Sequence, residues 1–373
     1  MTRELWKGNE AIAEAAVRAG LEAYFGYPIT PQNEVLEYLS GRMPALGRAF
    51  VQAESEPAAI NMVYGAACTG AKVMTSSSSP GISLMMEGLS YIAGTEVPMV
   101  LMNVMRGGPG LGNIAPSQGD YNQICKGGGH GDYHPIVLAP ASIQEAVDLM
   151  PVAFDLAHKY LNICCILIDG SIGQMMEPIT LPEMQPVVRK EYDWAVSGAV
   201  ERERHVLTSI YLDVPSEEKT NLRILGRWRE AQKNEIRYKE YYLEDAEIAI
   251  IGFGTAGRIA LTAVRQARAM GIKVGLFRPI SVAPFPLKQV EELSKKVQSI
   301  LVVEMNTGQM LTDVQAAVRN RIPLRFYGRL GGVVPFPDEF VHEMQELQRD
   351  PGDPEDDPAD LWYQRMMQRQ GGG

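Results

Sequence analysis

Two patterns of hydrophobic residues alternate along residues 1–180. Segments with apolar residues at helical spacing, which predict helices, are separated by short apolar runs, which predict strands. The first stripe ends before Gly20 and consists of Ala11, Ile12, Ala15, Ala16 and Ala19. Residues 97–105 form a nearly continuous apolar run with Asn103 as its one polar side chain, which is typical of a strand buried on both faces. Because helices separate the strands, the pattern predicts a parallel sheet covered by helices on both sides.

Residues 181–243 interrupt this alternation with scattered prolines and mixed charges, so we expect a linker with one helix over 219–240. The alternation resumes over 244–340 and predicts a second, smaller parallel-sheet domain of the α/β class. Residues 341–373 form an acidic tail that we expect to be partly disordered, since positions 350–360 hold six acids and three prolines. Trp362 and its apolar neighbours then follow at helical spacing, which suits either docking on the second domain or binding to a partner.

Composition narrows the class of protein. A chain of 373 residues with 46% hydrophobic and 21% charged residues is typical of a globular protein with two domains. The net charge of −10 disfavours nucleic-acid binding, and no apolar stretch is long enough to predict a membrane span. The four cysteines form no CxxC pair, so we expect reduced thiols, a cytoplasmic location and no iron–sulfur cluster in this chain.

Ligands of parallel sheets bind beyond the carboxyl ends of the strands, so the segments after each predicted strand are candidate sites. In the first, Pro31 suits the start of a helix with Thr30 as its N-cap. The N–H groups of that helix and the Thr30 hydroxyl would bind an anion, although Thr30 could also serve only as a cap. In the second, Glu54 and Glu56 lie at the start of a predicted helix. The helix dipole favours an acidic residue in the first turn, which accounts for one of the two and leaves the other as a functional candidate.

The third segment is a glycine-rich stretch over 106–135, with nine glycines in 30 residues. Arg106 at its start could bind a carboxylate with two hydrogen bonds. His130, Asp132 and His134 have no recognised metal-ligand spacing, so we predict no metal site in this chain.

The fourth segment carries Gly252, Gly254 and Gly257 in a GxGxxG pattern between a predicted strand and a helix. The acidic residue expected about 20 positions later is replaced by Arg278, which could accept the 2′-phosphate of NADP. The alternative is a tight strand-to-helix turn that binds no nucleotide.

Five stretches, in this order and spacing, make residues 5–340 resemble the alpha subunit of the 2-oxoacid:ferredoxin oxidoreductases. They are Lys7-Gly8-Asn9-Glu10-Ala11, Gly26-Tyr27-Pro28-Ile29-Thr30-Pro31, Gln52-Ala53-Glu54-Ser55-Glu56, Thr75-Ser76-Ser77-Ser78-Ser79-Pro80-Gly81 and Arg106-Gly107-Gly108-Pro109-Gly110. The resemblance implies a pyrimidine-type domain of the thiamine diphosphate fold over 1–180 and a domain like the C-terminal domain of transketolase over 244–340. Among family types, the branched-chain 2-oxoisovalerate type is favoured and the 2-oxoglutarate type is close behind.

The resemblance also implies the activity, cofactors and partners. A 2-oxoacid would be decarboxylated on thiamine diphosphate, electrons would pass through iron–sulfur clusters to ferredoxin, and coenzyme A would accept the acyl group. A beta subunit would hold Mg²⁺, the diphosphate and a [4Fe-4S] cluster, so the cofactor would be shared and this chain would be inactive alone. Gamma and delta (ferredoxin-like) subunits would complete a dimer of heteromers in the cytoplasm, bound to neither nucleic acid nor membrane.

Three residues receive roles from the resemblance. Glu56, rather than Glu54, would be the catalytic residue and would bind the cofactor by a hydrogen bond to its aminopyrimidine ring. Thr30 and Arg106 would bind the substrate carboxylate. Two other hypotheses stay open: an NADP-dependent oxidoreductase that uses residues 252–257, and a scaffold subunit without catalytic residues.

Overall fold

The structure is a computed structural model, and it describes residues 3–188 and 190–371. Met1, Thr2, Arg189, Gly372 and Gly373, which belong to the predicted first domain, linker and tail, lie outside the described residues. The strands are β1 (Glu4–Lys7), β2 (Ala23–Gly26), β3 (Ala49–Gln52), β4 (Val73–Ser77), β5 (Met99–Met105), β6 (Ile136–Leu138), β7 (Ile163–Asp169), β8 (Met176–Ile179), β9 (Tyr238–Tyr241), β10 (Ile248–Ile251), β11 (Val274–Pro279), β12 (Ser281–Ala283), β13 (Ser299–Glu304) and β14 (Leu324–Gly328). The helices are α1 (Gly8–Arg18), α2 (Asn33–Ala45), α3 (Glu56–Ala67), α4 (Ser79–Gly94), α5 (Tyr121–Cys125), α6 (Ile143–Tyr160), α7 (Gly170–Gln174), α8 (Val214–Asn234), α9 (Gly254–Ala269), α10 (Leu287–Leu293), α11 (Leu311–Val318), α12 (Pro337–Arg349) and α13 (Pro358–Gly371).

The larger sheet has seven strands in the order β12-β6-β7-β5-β4-β2-β3. All neighbours are parallel except β12, which runs antiparallel to β6 at the edge. The chain leaves β2 for β3 on one side and then returns to β4 on the other, so β2 lies at a switch point of the sheet. Crevices at such points are the usual ligand sites of parallel sheets.

The second sheet has five strands in the order β14-β13-β10-β11-β9, with β9 antiparallel at its edge. A two-stranded antiparallel ribbon joins β1 to β8. The chain returns from the second sheet to the first: β12 directly follows β11 of the second sheet but pairs with β6 of the first. The predicted α/β class with two parallel sheets is confirmed, with antiparallel strands added at the edges.

The core of the first sheet is formed by β5 and β7, in which every residue is buried. The apolar run over 97–105 therefore lies between helices on both faces, as its composition predicted. Cys164 and Cys165 lie inside β7, and all four cysteines are free thiols. Among the helices that the structure describes, none is long and apolar enough to span a bilayer.

Three predicted element boundaries are wrong. Helix α2 begins at Asn33 with Gln32 as its N-cap, not at Pro31 with Thr30, because the N–H of Gln32 turns back to the carbonyl of Ile29 at 3.0 Å. The linker helix α8 begins at Val214 rather than at 219 and ends at Asn234 rather than at 240. The residues after it form edge strand β9, in which Tyr238 stacks on Phe277 at 5.0 Å, and tyrosine-rich segments favour strands.

The tail contains the end of α12 and the whole of α13, joined by an irregular acidic segment. Helix α13 docks on the second sheet, since the indole of Trp362 is buried and donates to the carbonyl of Gly328 at 3.2 Å. Trp362 therefore packs on its own domain in this structure, whereas the neighbouring Tyr363 is exposed.

Glu304, at the carboxyl end of β13, is fully buried. Burial raises the pKa of its carboxyl from 4.5 to about 7, although the N–H groups of Met310 and Leu311 and the amide of Asn306 donate to it. Between pH 4.5 and 7 the folded chain therefore holds a proton at Glu304 that the unfolded chain has lost. The contribution of this group to stability is present below pH 4.5 and is lost as pH rises through 7.

We expect Glu304→Gln to remove this dependence, because an amide does not titrate. Relative to the variant, the free energy of unfolding of the wild-type chain should fall by roughly 3 kcal/mol between pH 4.5 and 7. Denaturant titrations of both proteins at several pH values measure the difference. Glu244→Gln at an exposed position is the control, and parallel pH curves for wild type and Glu304→Gln would contradict the prediction.

Candidate active site

Four neighbouring strands of the first sheet, β3, β2, β4 and β5, deliver the candidate residues to one edge. Thr30 follows β2, Glu56 follows β3, the serines of β4 lead into α4, and Arg106 follows β5. Because the strands are parallel, their carboxyl ends meet at the switch point beside β2. The structure therefore places Thr30, Glu56 and Arg106 at the same edge of the sheet.

Thr30 and Arg106 are in direct contact. The Nη1 of Arg106 donates to the carbonyl of Thr30 at 2.9 Å, and its Nη2 donates to the carbonyl of Leu111 at 3.1 Å. The Nε of Arg106 is buried and has no partner among the described residues. The hydroxyl of Thr30 accepts from the side chain of Asn33 at 3.3 Å, which leaves its own proton free to donate. A guanidinium and a hydroxyl donor in contact suit a carboxylate.

Sequence reasoning assigned no role in the site to three residues that hold the backbone of Arg106 in place. The hydroxyl of Ser79 accepts from the backbone N–H of Arg106 at 3.0 Å and donates to Asp120 at 2.7 Å. Asn103 also donates to Asp120, at 3.0 Å, and burial raises the pKa of the Asp120 carboxyl. Asp120 belongs to no recognised motif, so only the folded loop reveals its role.

The two glutamates after β3 have different environments. Glu54 is exposed, whereas Glu56 begins helix α3 and its side chain is 5% exposed. Ser55, not a glutamate, caps α3 by accepting from the N–H of Ala58 at 3.3 Å. Within residues 3–188 and 190–371, the Glu56 carboxylate has no hydrogen-bond or ion-pair partner, which is unusual for a buried acid.

Gly81 leaves room beside Glu56. A Cβ on Gly81 would lie 2.5 Å from Glu56 Oε1 and would overlap Ser77 Oγ, so a side chain at this position would displace both groups. The hydroxyls of Ser77 and Ser78 and that of Thr75 are buried, and none has a partner among the described residues. The Glu56 carboxylate and these hydroxyls surround the space beside Gly81. This arrangement fits a planar heterocycle that carries both hydrogen-bond donors and acceptors.

Asn9 orders the turn that carries Thr30. Its side-chain amide donates to the carbonyl of Pro31 at 2.7 Å and to Glu34 at 2.8 Å. Gln174 donates to the same carbonyl at 2.7 Å. The stretch at residues 7–11 is thus a support for the Thr30 turn.

The GxGxxG segment lies against the first domain. The carboxylate of Asp169, at the end of β7, accepts from the Thr255 hydroxyl at 2.8 Å and occupies the N-terminus of α9. Arg278 is 4% exposed and is paired with Glu145 at 2.6 Å. The place where a pyrophosphate would bind is therefore filled by the chain's own carboxylate, and the geometry argues against the NADP hypothesis.

The three metal-ligand candidates of the glycine-rich stretch do not converge. His134 stacks on Trp228 of α8 at 4.9 Å, and burial lowers the pKa of its imidazole. Across the described part of the chain, no group of three or more His, Cys, Asp or Glu side chains is arranged to hold a metal ion.

Comparison with known families identifies the class of protein. Residues 14–216 match the family described as "Pyruvate flavodoxin/ferredoxin oxidoreductase, thiamine diP-bdg", and residues 246–340 match "Pyruvate:ferredoxin oxidoreductase core domain II". The chain belongs to the 2-oxoacid:ferredoxin oxidoreductase family, and its first domain is of the thiamine diphosphate-binding type. The resemblance stated from the sequence is confirmed.

Two relatives show which subunits the chain is similar to. The ketoisovalerate oxidoreductase subunit VorB of Methanothermobacter marburgensis is 48% identical over 93% of this chain and 98% of its own length. The 2-oxoglutarate synthase subunit KorA of the same organism is 32% identical over 93% of this chain and 100% of its own length. The chain is therefore an oxidoreductase subunit of this family.

Two solved structures share the fold. A 2-oxoglutarate:ferredoxin oxidoreductase from Magnetococcus marinus, with 2-oxoglutarate, coenzyme A and succinyl-CoA bound, superposes with a TM-score of 0.85 at 26% identity. The match covers 92% of this chain but only 65% of that one. A split-gene transketolase in its inactive tetramer has a TM-score of 0.59 at 12% identity, over 91% of this chain and 97% of its own, which shows the fold alone.

Proposed function

We propose that this chain is the alpha subunit of a coenzyme A-acylating 2-oxoacid:ferredoxin oxidoreductase and contributes half of a shared active site. The observation that carries the proposal is the buried, unpartnered Glu56 beside Gly81, at the same sheet edge as the Thr30–Arg106 pair. A buried acid without a partner in its own chain is explained by a partner that another molecule supplies. The divisions 1–180, 181–243, 244–340 and 341–373 are proposed as first domain, linker, second domain and tail.

The cradle around Gly81 fits the aminopyrimidine end of thiamine diphosphate. Glu56 would accept a hydrogen bond there, and the hydroxyls of Ser77 and Ser78 would meet the polar edge of the ring. When bound, thiamine diphosphate supplies the carbon nucleophile for the 2-oxoacid. The described residues contain no cluster of side chains arranged to bind a metal ion. We therefore assign Mg²⁺, the diphosphate and the [4Fe-4S] clusters to partner subunits.

Three side chains of this subunit, those of Glu56, Arg106 and Thr30, have distinct tasks in the proposed reaction. Glu56 holds a proton shared between its carboxylate and the ring nitrogen of the pyrimidine, which sets the ring's tautomer. Arg106 and Thr30 bind the carboxylate of the 2-oxoacid and fix the direction in which carbon dioxide leaves. Burial of Glu56 and Arg106 excludes water and strengthens both contacts.

A branched-chain 2-oxoacid is the proposed substrate, with 2-oxoglutarate as the second candidate. The high identity to a ketoisovalerate oxidoreductase subunit supports this choice.

The proposed complex also contains a beta subunit, gamma and delta subunits and ferredoxin as electron acceptor. Coenzyme A is the proposed acyl acceptor, and a dimer of heteromers in the cytoplasm is the proposed assembly. The four free thiols are compatible with a reducing compartment.

Reconstitution tests the function. The isolated chain should be inactive and colourless, whereas co-expression with the cluster-bearing partner subunits should give reduction of a viologen dye that depends on coenzyme A. A panel of 2-oxoisovalerate, 2-oxoglutarate and pyruvate would rank substrates by kcat/KM, and 2-oxoisovalerate should rank first. Turnover by the isolated chain, or a complex that reduces the dye with none of the three acids, would overturn the proposal.

A further inference from the structure

The glycine-rich loop that begins at Arg106 is closed on itself. Arg106 and Pro116 form an isolated antiparallel bridge, and the N–H of Gly107 donates to the carbonyl of Ala115 at 2.9 Å. The N–H of Asn113 returns to the carbonyl of Gly107 at 3.0 Å. The position of Arg106 therefore depends on the returning limb of the loop, residues 113–118.

The returning limb is also tied to the second domain, mainly through Gln118. Gln118 is fully buried, and every polar group it offers crosses the domain boundary. Its Nε2 donates to the carbonyl of Phe253 at 2.9 Å, and its Oε1 accepts from the N–H of Met305 at 2.9 Å. Its backbone N–H donates to the carbonyl of Met305 at 3.0 Å, and its carbonyl accepts from Asn306 at 2.8 Å.

A second contact with the second domain lies at the start of the same limb. The amide of Asn113 donates to the carbonyl of Gly331 at 2.7 Å, and Gly332 packs so closely on Ala115 that a side chain there would collide with it. Both contacts join the loop to the segment that follows β14. The limb is thus attached to the second domain at Gln118 and at Asn113, on either side of Pro116.

We propose that the second domain positions Arg106 for the substrate carboxylate, with Gln118 as the main positioning residue and Asn113 as an auxiliary one. This inference rests on the proposed function of Arg106. It gives the second domain a role in substrate binding beyond packing. The chain of contacts runs from Phe253, Met305 and Asn306 through Gln118 to Pro116 and then, across the bridge, to Arg106.

The test compares Gln118→Leu and Asn113→Ala with Thr255→Val in the assembled complex. Leucine keeps the volume of Gln118 and removes both of its side-chain hydrogen bonds. Thr255→Val loosens the same domain boundary by breaking the hydroxyl bond to Asp169 and removes no hydrogen bond of the loop, so it is the matched control. Asn113 is exposed, so its variant keeps the test possible where Gln118→Leu fails to assemble.

For Gln118→Leu we expect KM for the 2-oxoacid to rise about tenfold while kcat changes less than about threefold, because the loop that carries the carboxylate contact moves. Asn113→Ala should raise KM by about threefold, and Thr255→Val should leave it unchanged. An unchanged KM in both loop variants, or an equal rise in Thr255→Val, would overturn the inference.

Amide hydrogen exchange of the substrate-free complex gives a readout that needs no turnover. Residues 107–116 should exchange faster in Gln118→Leu than in wild type or Thr255→Val. If the wild-type complex turns over no 2-oxoacid, the proposed function fails, and the exchange pattern still shows whether the second domain holds the loop. Equal exchange in all variants would show that it does not.

Discussion

Glu56→Gln is expected to lower turnover of the reconstituted complex by at least about a hundredfold, the usual size for the loss of an acid–base group. Glutamine has the volume of glutamate, so the close approach to Gly81 is preserved. The neutral amide, however, cannot share a proton with the pyrimidine nitrogen of the cofactor. Steady-state reduction of a viologen dye with saturating 2-oxoacid and coenzyme A measures the effect.

Glu54→Gln is the control for this prediction, because Glu54 lies two residues earlier, is exposed and carries the same charge. It should turn over at the wild-type rate. Thiamine diphosphate content, measured in both variant complexes, separates a loss of catalysis from a loss of cofactor. Turnover within threefold of wild type in Glu56→Gln would remove Glu56 from the mechanism, and a large loss in Glu54→Gln would move the role there.

The sequence predicted that Thr30, Glu56 and Arg106 lie at one edge of the sheet, because the rule that places them there is simple. Thr30, Glu56 and Arg106 each follow a strand, and parallel strands end at one edge of a sheet. Apolar runs and helical stripes are strong local signals, so the strands themselves could be located from the pattern. The sequence could not distinguish Glu54 from Glu56 by charge alone. The structure distinguishes them by burial, because Glu56 is buried and Glu54 is exposed.

Contacts between distant segments left no such local signal. Gln118 and Met305 are 187 positions apart, and neither belongs to a recognised motif. Asp169 fills the N-terminus of α9 although the GxGxxG pattern there resembles a nucleotide site, because Thr255 is directed to the first domain. The pairing of β12 with β6 is equally hidden, since a three-residue strand has no detectable periodicity.

Arg106→Lys is expected to lower kcat/KM for the 2-oxoacid by about a hundredfold to a thousandfold, mainly through KM. The guanidinium of Arg106 reaches the carbonyls of Thr30 and Leu111 with two nitrogens, and its remaining N–H groups can bind a carboxylate. A lysine ammonium has one nitrogen and cannot make both backbone contacts while it binds the substrate with two hydrogen bonds. Arg349→Lys, at a side chain 74% exposed on α12, is the control and should have no effect.

Chemical rescue separates a binding role of Arg106 from a purely structural one. Arg106→Ala leaves space where the guanidinium stood, so guanidinium ions in the buffer should restore part of kcat/KM if the group acts by binding the substrate carboxylate. The same ions should not help Glu56→Gln, whose defect is the missing proton exchange. An Arg106→Lys variant with wild-type KM would show that the 2-oxoacid carboxylate binds elsewhere. An Arg106→Ala variant that is inactive at every guanidinium concentration, yet keeps its assembly, would show that Arg106 holds the Thr30 turn instead of the substrate.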